Sequence, residues 1–583
     1  MHPSSLTSIL ASSISQLLHR LRNLLIRAAL RTLRLFSPSL NALILRVQNS
    51  PGLPVPSPCP PYWLIPPSPI AQHGSGPDAV LPKYADVVII GSGITGTSVA
   101  RTLLEWEDAH PTDGAPPPLP LQVVMLEARD TCSGATGRNG GHITPLLYPD
   151  YSELKAKHGP AIAQQVIRFR LAHLTHIREA AAEDGVLADS QCREVEAFDV
   201  FHDARLYAAS KAKLAAYCAD LPAESADYKI YEGEAAIKKL QLADHTVGCF
   251  STRAGVVQPY RLVTGILSRL LSKYSSHFRL FTQTPCTEIA SPDAAGQLYQ
   301  VATPRGIIET PHVVHATNGW VGHLLPGMRG RIIPARGVMT AQRPQEGLGV
   351  AGPAPENTRA GGEGSWTGTR SFVFFPSAEM HKYDYLTQQL PGGGAPGSGY
   401  PVPEGEMMLG GGFAQGGVSA MLSQLGNADD GDWDVKTGEY LKHALGEYFD
   451  PGKTREKTKP EEEERPEDRV RAVWSGILGM SVDMKPWVGR VPSVVSGRRA
   501  PQAPANSGSS GRTAAPGEWM AAGYSGEGMV HAWLSGKALA HMVLGVDEKG
   551  SGELDGWFPE VFRVNERRLE GAGIEELIST FMA

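Results

Sequence analysis

Six cysteines in 583 residues is few, and Cys59, Cys132, Cys192, Cys218, Cys249 and Cys286 form no CxxC pair and no close Cys/His grouping. That spacing speaks against a zinc finger or a disulfide framework and predicts a reduced, intracellular chain without a metal site. Long apolar runs are missing as well. Arginines interrupt every candidate near the N-terminus well short of the roughly 20 residues a bilayer requires, so no transmembrane segment is expected. The net charge is −6 and the body has no basic stripe with interleaved aromatics, which argues against a nucleic-acid partner.

Acidic residues are absent before Asp78, whereas residues 1–48 hold Arg20, Arg22, Arg27, Arg31, Arg34 and Arg46 among many Ser and Leu. This basic extension resembles a mitochondrial presequence, with Leu17, Leu21, Leu24, Leu25 and Ile26 on one helical face. The expected location is mitochondrial if the extension is read as a signal and cytoplasmic if it is an uncleaved extension. Residues 49–82 are rich in proline around PYWLIPP and read as an extended arm, with Trp63 as its anchor.

The stretch ADVVIIGSGITGTSVAR, residues 85–101, reads as a buried parallel strand, a glycine turn and a helix start. Gly91 permits the tight turn, Gly93 lets backbone approach a pyrophosphate, and Gly96 lets the helix pack on the strand. Ile94 and Thr95 open the helix, whose free N–H groups favour an anion. A GxGxxG alone is weak, but a second apolar run, Leu121 to Leu126, ends in Glu127, where a carboxylate would receive the adenosine ribose. The Pro-rich stretch His110 to Pro120 explains the long spacing between glycines and carboxylate.

After Glu127 comes ARDTCSGATGRNGGH, residues 128–142, too rich in glycine and small residues for a helix or strand. With this loop the chain resembles the FAD-dependent oxidoreductases of the D-amino-acid oxidase superfamily, near the gamma-glutamylputrescine oxidase-like and sarcosine oxidase-like branch. The resemblance implies that Arg129 and Ser133 lie along ribose and pyrophosphate, with Ala128 and Thr136 also at the cofactor. It places Gly137, Arg138, Asn139, Gly140, Gly141 and His142 beside the flavin ring. Three later segments resemble the same family. PHVVHATNGW returns the chain to the cofactor at Ala316 and Thr317; residues 473–492 read as a strand pair beside the ring; and WMAAGYSGEGMVHAWLSGKALA supplies a second glycine turn at Gly523, Gly526, Gly528 and Met529. Amides there would stabilise anionic reduced flavin.

The implied fold is α/β, a Rossmann-like FAD-binding domain of GR2 type interleaved with a mostly antiparallel substrate domain. Its expected parts are FAD-binding segments 83–193, 251–331 and 471–545, substrate segments 194–250 and 332–470, and a tail, 546–583. Mobile insertions are expected at 352–364, 391–405, 452–468 and 496–517, and residues 151–184 read as helical with a core-facing side.

The resemblance implies hydride removal from a carbon next to nitrogen in a small amine or amino acid. Imine hydrolysis follows, with oxygen as the acceptor or a quinone or flavoprotein in a dehydrogenase. Such chemistry rests on positioning and desolvation and needs no nucleophilic triad. Candidate substrate residues are Arg336 as a carboxylate clamp, Tyr385 with Tyr383 as pocket wall, and His142 near the ring or linked to it; each also has a structural reading as ion pair, sheet core or backbone partner. Asp483 and Lys485 read as a surface or supporting pair. Sarcosine oxidase-like relatives carry a flavin-linking cysteine near the segment Trp474 to Gly479 and a lysine at the position of Val530; this chain has neither. A non-catalytic flavin-binding assembly factor of mitochondria is the reading from another class. A nicotinamide dehydrogenase would have no need of the terminal cradle.

Overall fold

The structure is a computed structural model that describes residues 29, 32 and 37–577, except 110–118, 292–297, 350–364, 396, 398, 414, 451–465, 503–511, 548–551 and 553. Val87–Ile90 is β-branched throughout and wholly buried, so it takes a central place in a six-stranded sheet. The order is Trp487–Arg490, Gly517–Ala522, His312–His315, Val87–Ile90, Val123–Leu126, Phe278–Phe281. Every pair is parallel except the outermost, Trp487–Arg490 on Gly517–Ala522. The helices after the two glycine turns, Ile94–Ala109 and Ala532–Val543, touch each other closely. A Cβ on Gly536 would lie 2.7 Å from the Thr95 carbonyl oxygen, and Ser98 Oγ donates to the Trp533 carbonyl at 2.6 Å.

The second, nine-stranded sheet runs Val470–Ser481, Ile332–Gln342, Met407–Gly411, Asp384–Gln388, Arg370–Phe375, Arg193–Phe201, Gly248–Val256, His142–Ile143, with Lys229–Glu232 also on Gly248–Val256. Only Arg370–Phe375 with Arg193–Phe201 is parallel. The fold is therefore the expected α/β pairing of a parallel cofactor-type sheet with a largely antiparallel one. A small antiparallel sheet of Glu288–Ala290, Tyr299–Thr303 and Gly306–Thr310 joins two strands of the first.

Several boundaries move. The basic extension does not reach Gln48, because Pro38–Gln48 is a helix with Leu43, Ile44 and Val47 buried and Arg46 donating to the carbonyls of Leu422 (2.6 Å) and Leu425 (2.7 Å). The remainder of the presequence reading lies outside the described residues. The Pro-rich arm is wound into the body, and Trp63, buried, donates from Nε1 to the Asn139 carbonyl at 2.6 Å. Gly248–Val256 stays in the large sheet to its end, beyond residue 250. The predicted strand pair at 473–492 divides, Val470–Ser481 entering the large sheet and Trp487–Arg490 the parallel one. The helical stretch is two helices, Tyr148–His158 and Pro160–Glu183, separated at Gly159, with Pro160 at the first position of the second. Of the expected mobile insertions, 352–364, most of 452–468 and residues 503–511 of 496–517 lie outside the described residues. The insertion at 391–405 is folded back, with Gly392 N–H on the Pro403 carbonyl (3.0 Å).

The tail packs too. Leu554, Phe558, Phe562 and Leu569 are buried, and the Arg568 guanidinium donates to both oxygens of Asp483 at 2.9 and 3.0 Å while lying 3.8 Å from the Trp487 ring centroid. Asp483 and Lys485 (3.3 Å) are thus no surface pair but part of a buried network. Burial by itself would raise the Asp483 carboxyl, but Arg568 and Lys485 hold it well below the usual carboxylate range. Among the described residues, all six cysteines are free, no helix is long and apolar enough to cross a membrane, and no cluster suits a metal ion. Arg568→Ala leaves the Asp483 charge buried with reduced compensation, so unfolding in urea should show a loss of about 3–5 kcal/mol; a loss below about 1 kcal/mol would mean the network carries no stability.

Candidate active site

The first turn is closed by bare backbone. A Cβ on Gly91 (φ +109°) would sit 2.6 Å from the Ala316 carbonyl oxygen, and one on Gly96 would sit 2.0 Å from the Gly91 oxygen. Ile94 N–H is used inside the protein, on Thr136 Oγ1 at 3.0 Å, while those of Gly93 and Thr95 have no partner among the described residues. Glu127 is held where the strand ends: Ser92 donates to Oε2 from N (3.2 Å) and Oγ (2.6 Å), and Arg129 N–H donates to Oε1 (3.0 Å).

The glycine loop then crosses beneath the large sheet. Gly91, Gly93, Glu127, Ala128, Arg129, Thr136, Arg138, Asn139, Gly140, His142, Ala316 and Thr317 from the first half, and Gly526, Gly528 and Met529 from the terminal turn, line one continuous cavity of about 1360 Å³. Pockets for single small ligands run to about 1,000 Å³, so this one has room for a large cofactor together with a substrate. Other predicted contacts act from behind. Ser133 offers its carbonyl to Arg129 and Arg138 and keeps its side chain off the cavity. Gly137 and Gly141 pack on the carbonyls of Cys132 and Val257, and Gly523 packs on Ile332 and Trp487. Arg129 lines the cavity, but it is committed to Asp430.

Arg138 is buried; its Nε donates to the Ser133 carbonyl (2.8 Å) and Nη1 to the Ser475 carbonyl (2.7 Å), leaving Nη2 buried without a partner among the described residues. His142 packs edge-on against Tyr385 with ring centroids 5.3 Å apart, and among the described residues neither ring nitrogen makes a well-formed hydrogen bond. Burial pulls its pKa down to about 4, so the imidazole is neutral at physiological pH. Tyr385 lines the cavity, with Tyr383 beside it. Arg336 does not. Its neighbours Gly337 and Met339 line the cavity, while the guanidinium donates to Gln424 Oε1 (2.9 Å) and the Asp432 carbonyl (3.3 Å). A carboxylate clamp at Arg336 is therefore withdrawn.

At the opposite wall, Gly526 (φ +89°) and Gly528 have open space where a Cβ would be, and the N–H groups of Gly528 and Met529 have no partner among the described residues. Between them stands Glu527, which motif reading passed over although two singled-out glycines flank it. Arg170 lies 3.6 Å from Glu527, pairs with Asp150 at 2.8 Å, and donates from Nε to His531 Nε2 at 3.2 Å. That bond leaves His531 Nδ1–H to donate to the Glu527 carbonyl at 3.0 Å. Burial lifts the Glu527 carboxyl to about 7, opposed by Arg170 and helped by Asp150.

Residues 86–542 match the family DAO, FAD dependent oxidoreductase, and the chain belongs to it. No curated protein matches the sequence. L-amino acid deaminase from Proteus vulgaris superposes with a TM-score of 0.52 at 15% identity, over 81% of this chain and 96% of that one. Glycine oxidase from Bacillus cereus gives 0.50 at 14% identity, over 81% and 97%. L-amino acid deaminase from Proteus myxofaciens in complex with anthranilate gives 0.50 at 14%, over 88% and 96%. These likenesses show a shared fold. The residues present fit the family's cofactor: the free amides at Gly93 and Thr95 suit a pyrophosphate, and the unpaired Arg138 Nη2 and the amides of Gly528 and Met529 suit anionic groups along the same cavity.

Gly93→Asp puts a carboxylate against those amides, so the variant should fold yet stay colourless after reconstitution with FAD, where the parent turns yellow; absorbance at the flavin bands decides. Because Glu527 holds its proton in the folded chain up to about pH 7 and in the unfolded chain only to about 4.5, it costs stability increasingly as pH rises between those values. Glu527→Gln removes that cost, so its Tm relative to the parent should climb between pH 5 and pH 8. A pH-independent difference would mean the carboxyl is not raised.

Proposed function

We propose that this chain oxidises the C–N bond of a small amine, in the manner of the gamma-glutamylputrescine oxidase-like branch, with oxygen as acceptor. When bound, FAD would accept the hydride that leaves the carbon next to the substrate nitrogen, and the released imine would hydrolyse in water. Gly93, Thr95, Glu127, Arg138, Gly528 and Met529 would hold the cofactor. The protein's own contribution is desolvation and aim: the neutral imidazole of His142 and the aromatic wall of Tyr385 form an uncharged surface that suits an amine in its neutral form.

The observation that carries the reading is that glycine turns some 430 residues apart in the chain, at Gly91 and Gly526, line one cavity whose far wall is the antiparallel sheet. An amine is favoured over an amino acid because, among the described residues, the large sheet sends no guanidinium into the cavity. Arg336 faces away, and Arg129 and Arg138 both stand on Asp430, at 2.8 and 3.4 Å. Anaerobic addition of amines and amino acids to the FAD-loaded protein tests this, with loss of flavin absorbance as readout and air or a quinone added afterwards. Bleaching by amines, and recolouring by oxygen, is expected. Arg336→Ala should bleach at the parent's rate within about twofold. A panel in which no amine bleaches the protein would overturn the proposal, and preference for carboxylate-bearing substrates would shift it to amino acids.

A further inference from the structure

Strand register brings one charged side chain into the apolar wall of the chamber. Across the large sheet, Met339, Gly410, Tyr385, Val373, Asp199 and Phe250 stand in a single cross-strand row. All of them except Gly410 line the cavity. Asp199 accepts a hydrogen bond from the Tyr148 hydroxyl at 2.9 Å, and among the described residues no lysine, arginine or histidine pairs with it. Lys213 also lines the cavity, but its Nζ is engaged by the Pro149 carbonyl at 3.0 Å.

Aromatic rings surround this carboxylate. Tyr148 stands edge-on to Phe250 (5.7 Å) and to Tyr228 (6.0 Å), and all three line the same part of the cavity. A carboxylate without a protein cation, ringed by aromatic side chains, is the chemistry that recognises an organic ammonium: charge pairing from one group and cation–π attraction from the others. The geometry points to Asp199, Tyr148, Tyr228 and Phe250 as a subsite for a second, non-reacting ammonium group, so that the preferred substrate is a diamine or another amine carrying a cation at its far end.

Spacing supports a second group rather than the reacting one. Tyr385, which touches the glycine loop at Gly140 and His142, is two strands away from Asp199, about 10 Å across the sheet. An amine must be neutral to lose hydride, whereas one at Asp199 gains by staying charged. Burial raises the Asp199 pKa to about 6 against the Tyr148 hydrogen bond, which leaves the carboxylate mostly ionised at pH 7.5, and an adjacent ammonium would hold it further in that form.

The assignment rests on the amine-oxidation reading for the other end of the chamber, and its test separates the two. Anaerobic calorimetry at pH 7.5 on the FAD-loaded protein compares 1,6-diaminohexane with n-hexylamine, while flavin absorbance is read in the same samples. The parent should bind the dication at least tenfold more tightly, and Asp199→Asn should bring that ratio to about one. Equal affinities in the parent, a comparison that needs no variant, would overturn the subsite. So would a dication preference that survives in Asp199→Asn. A dication preference in the parent that Asp199→Asn abolishes, with no bleaching by either amine, would overturn the oxidation reading and leave the subsite standing.

Discussion

Asp430 is wholly buried, receives two hydrogen bonds from Arg129 at 2.8 and 3.0 Å, and stands 3.4 Å from Arg138. Its backbone carbonyl accepts the Cys59 N–H at 2.8 Å, so one residue joins the glycine loop, the Pro-rich arm and the connection preceding helix Val435–Tyr448. A loop built of glycine and small residues has little apolar surface with which to hold its own shape. Cross-links to a buried charge replace packing there. Two guanidiniums share one carboxylate, so this buried triad carries an excess positive charge, and Nη2 of Arg138 is left buried without a partner among the described residues. Burial disfavours that charge, and Asp430 opposes the effect only in part. An anionic group bound in the cavity would complete the compensation, which is why the loop's electrostatics and the family's cofactor agree.

The large sheet turns sequence alternation into a chamber wall. Each strand contributes one residue to the inner row, and Gly410 is the position where none is wanted: a Cβ there would lie 2.1 Å from Met339 Sδ and 2.6 Å from the Tyr385 ring. With no side chain at Gly410, Met339 and Tyr385 come together there, and Tyr385 also reaches Gly140 of the glycine loop. Farther along the same row the side chains are Val373, Asp199 and Phe250. The wall is thus apolar beside the glycine loop and carries a carboxylate two strands farther on.

What sequence reading could reach divides along the same lines. The turn at Gly91–Gly96, the carboxylate at Glu127 and the terminal turn at Gly526–Met529 are local: strand, glycine and helix start follow each other in the chain, and backbone sterics dictate what they can do. Arg336 needed strand parity. Ile332–Gln342 is buried on both faces except at Arg336 and Gly337, so no apolar alternation marked which side faced the cavity. Asp199 had a fainter signal, a carboxylate in step with the buried Val195 and Ala197 of its strand. Arg129, placed by its motif, is drawn off to Asp430 from 301 positions away, a contact no local pattern contains.

The C-terminal segment shows how far the site's support extends beyond its motifs. Arg568 grips Asp483, Asp483 accepts from Ser481 Oγ at 2.7 Å, and Ser481 N–H donates to Ser525 Oγ at 3.0 Å, one residue before Gly526. Ser525 N–H returns to the Gly479 carbonyl at 2.8 Å, tying the terminal turn to the strand whose Gly476, Ile477 and Leu478 line the cavity. Gly526 adopts a left-handed conformation with open space beside it, so packing alone does not fix the turn's direction. Hydrogen bonds from both sides do. A segment that reads as a plain tail therefore helps to set where the amides of Gly528 and Met529 point, through a chain of buried polar contacts that only tertiary folding assembles.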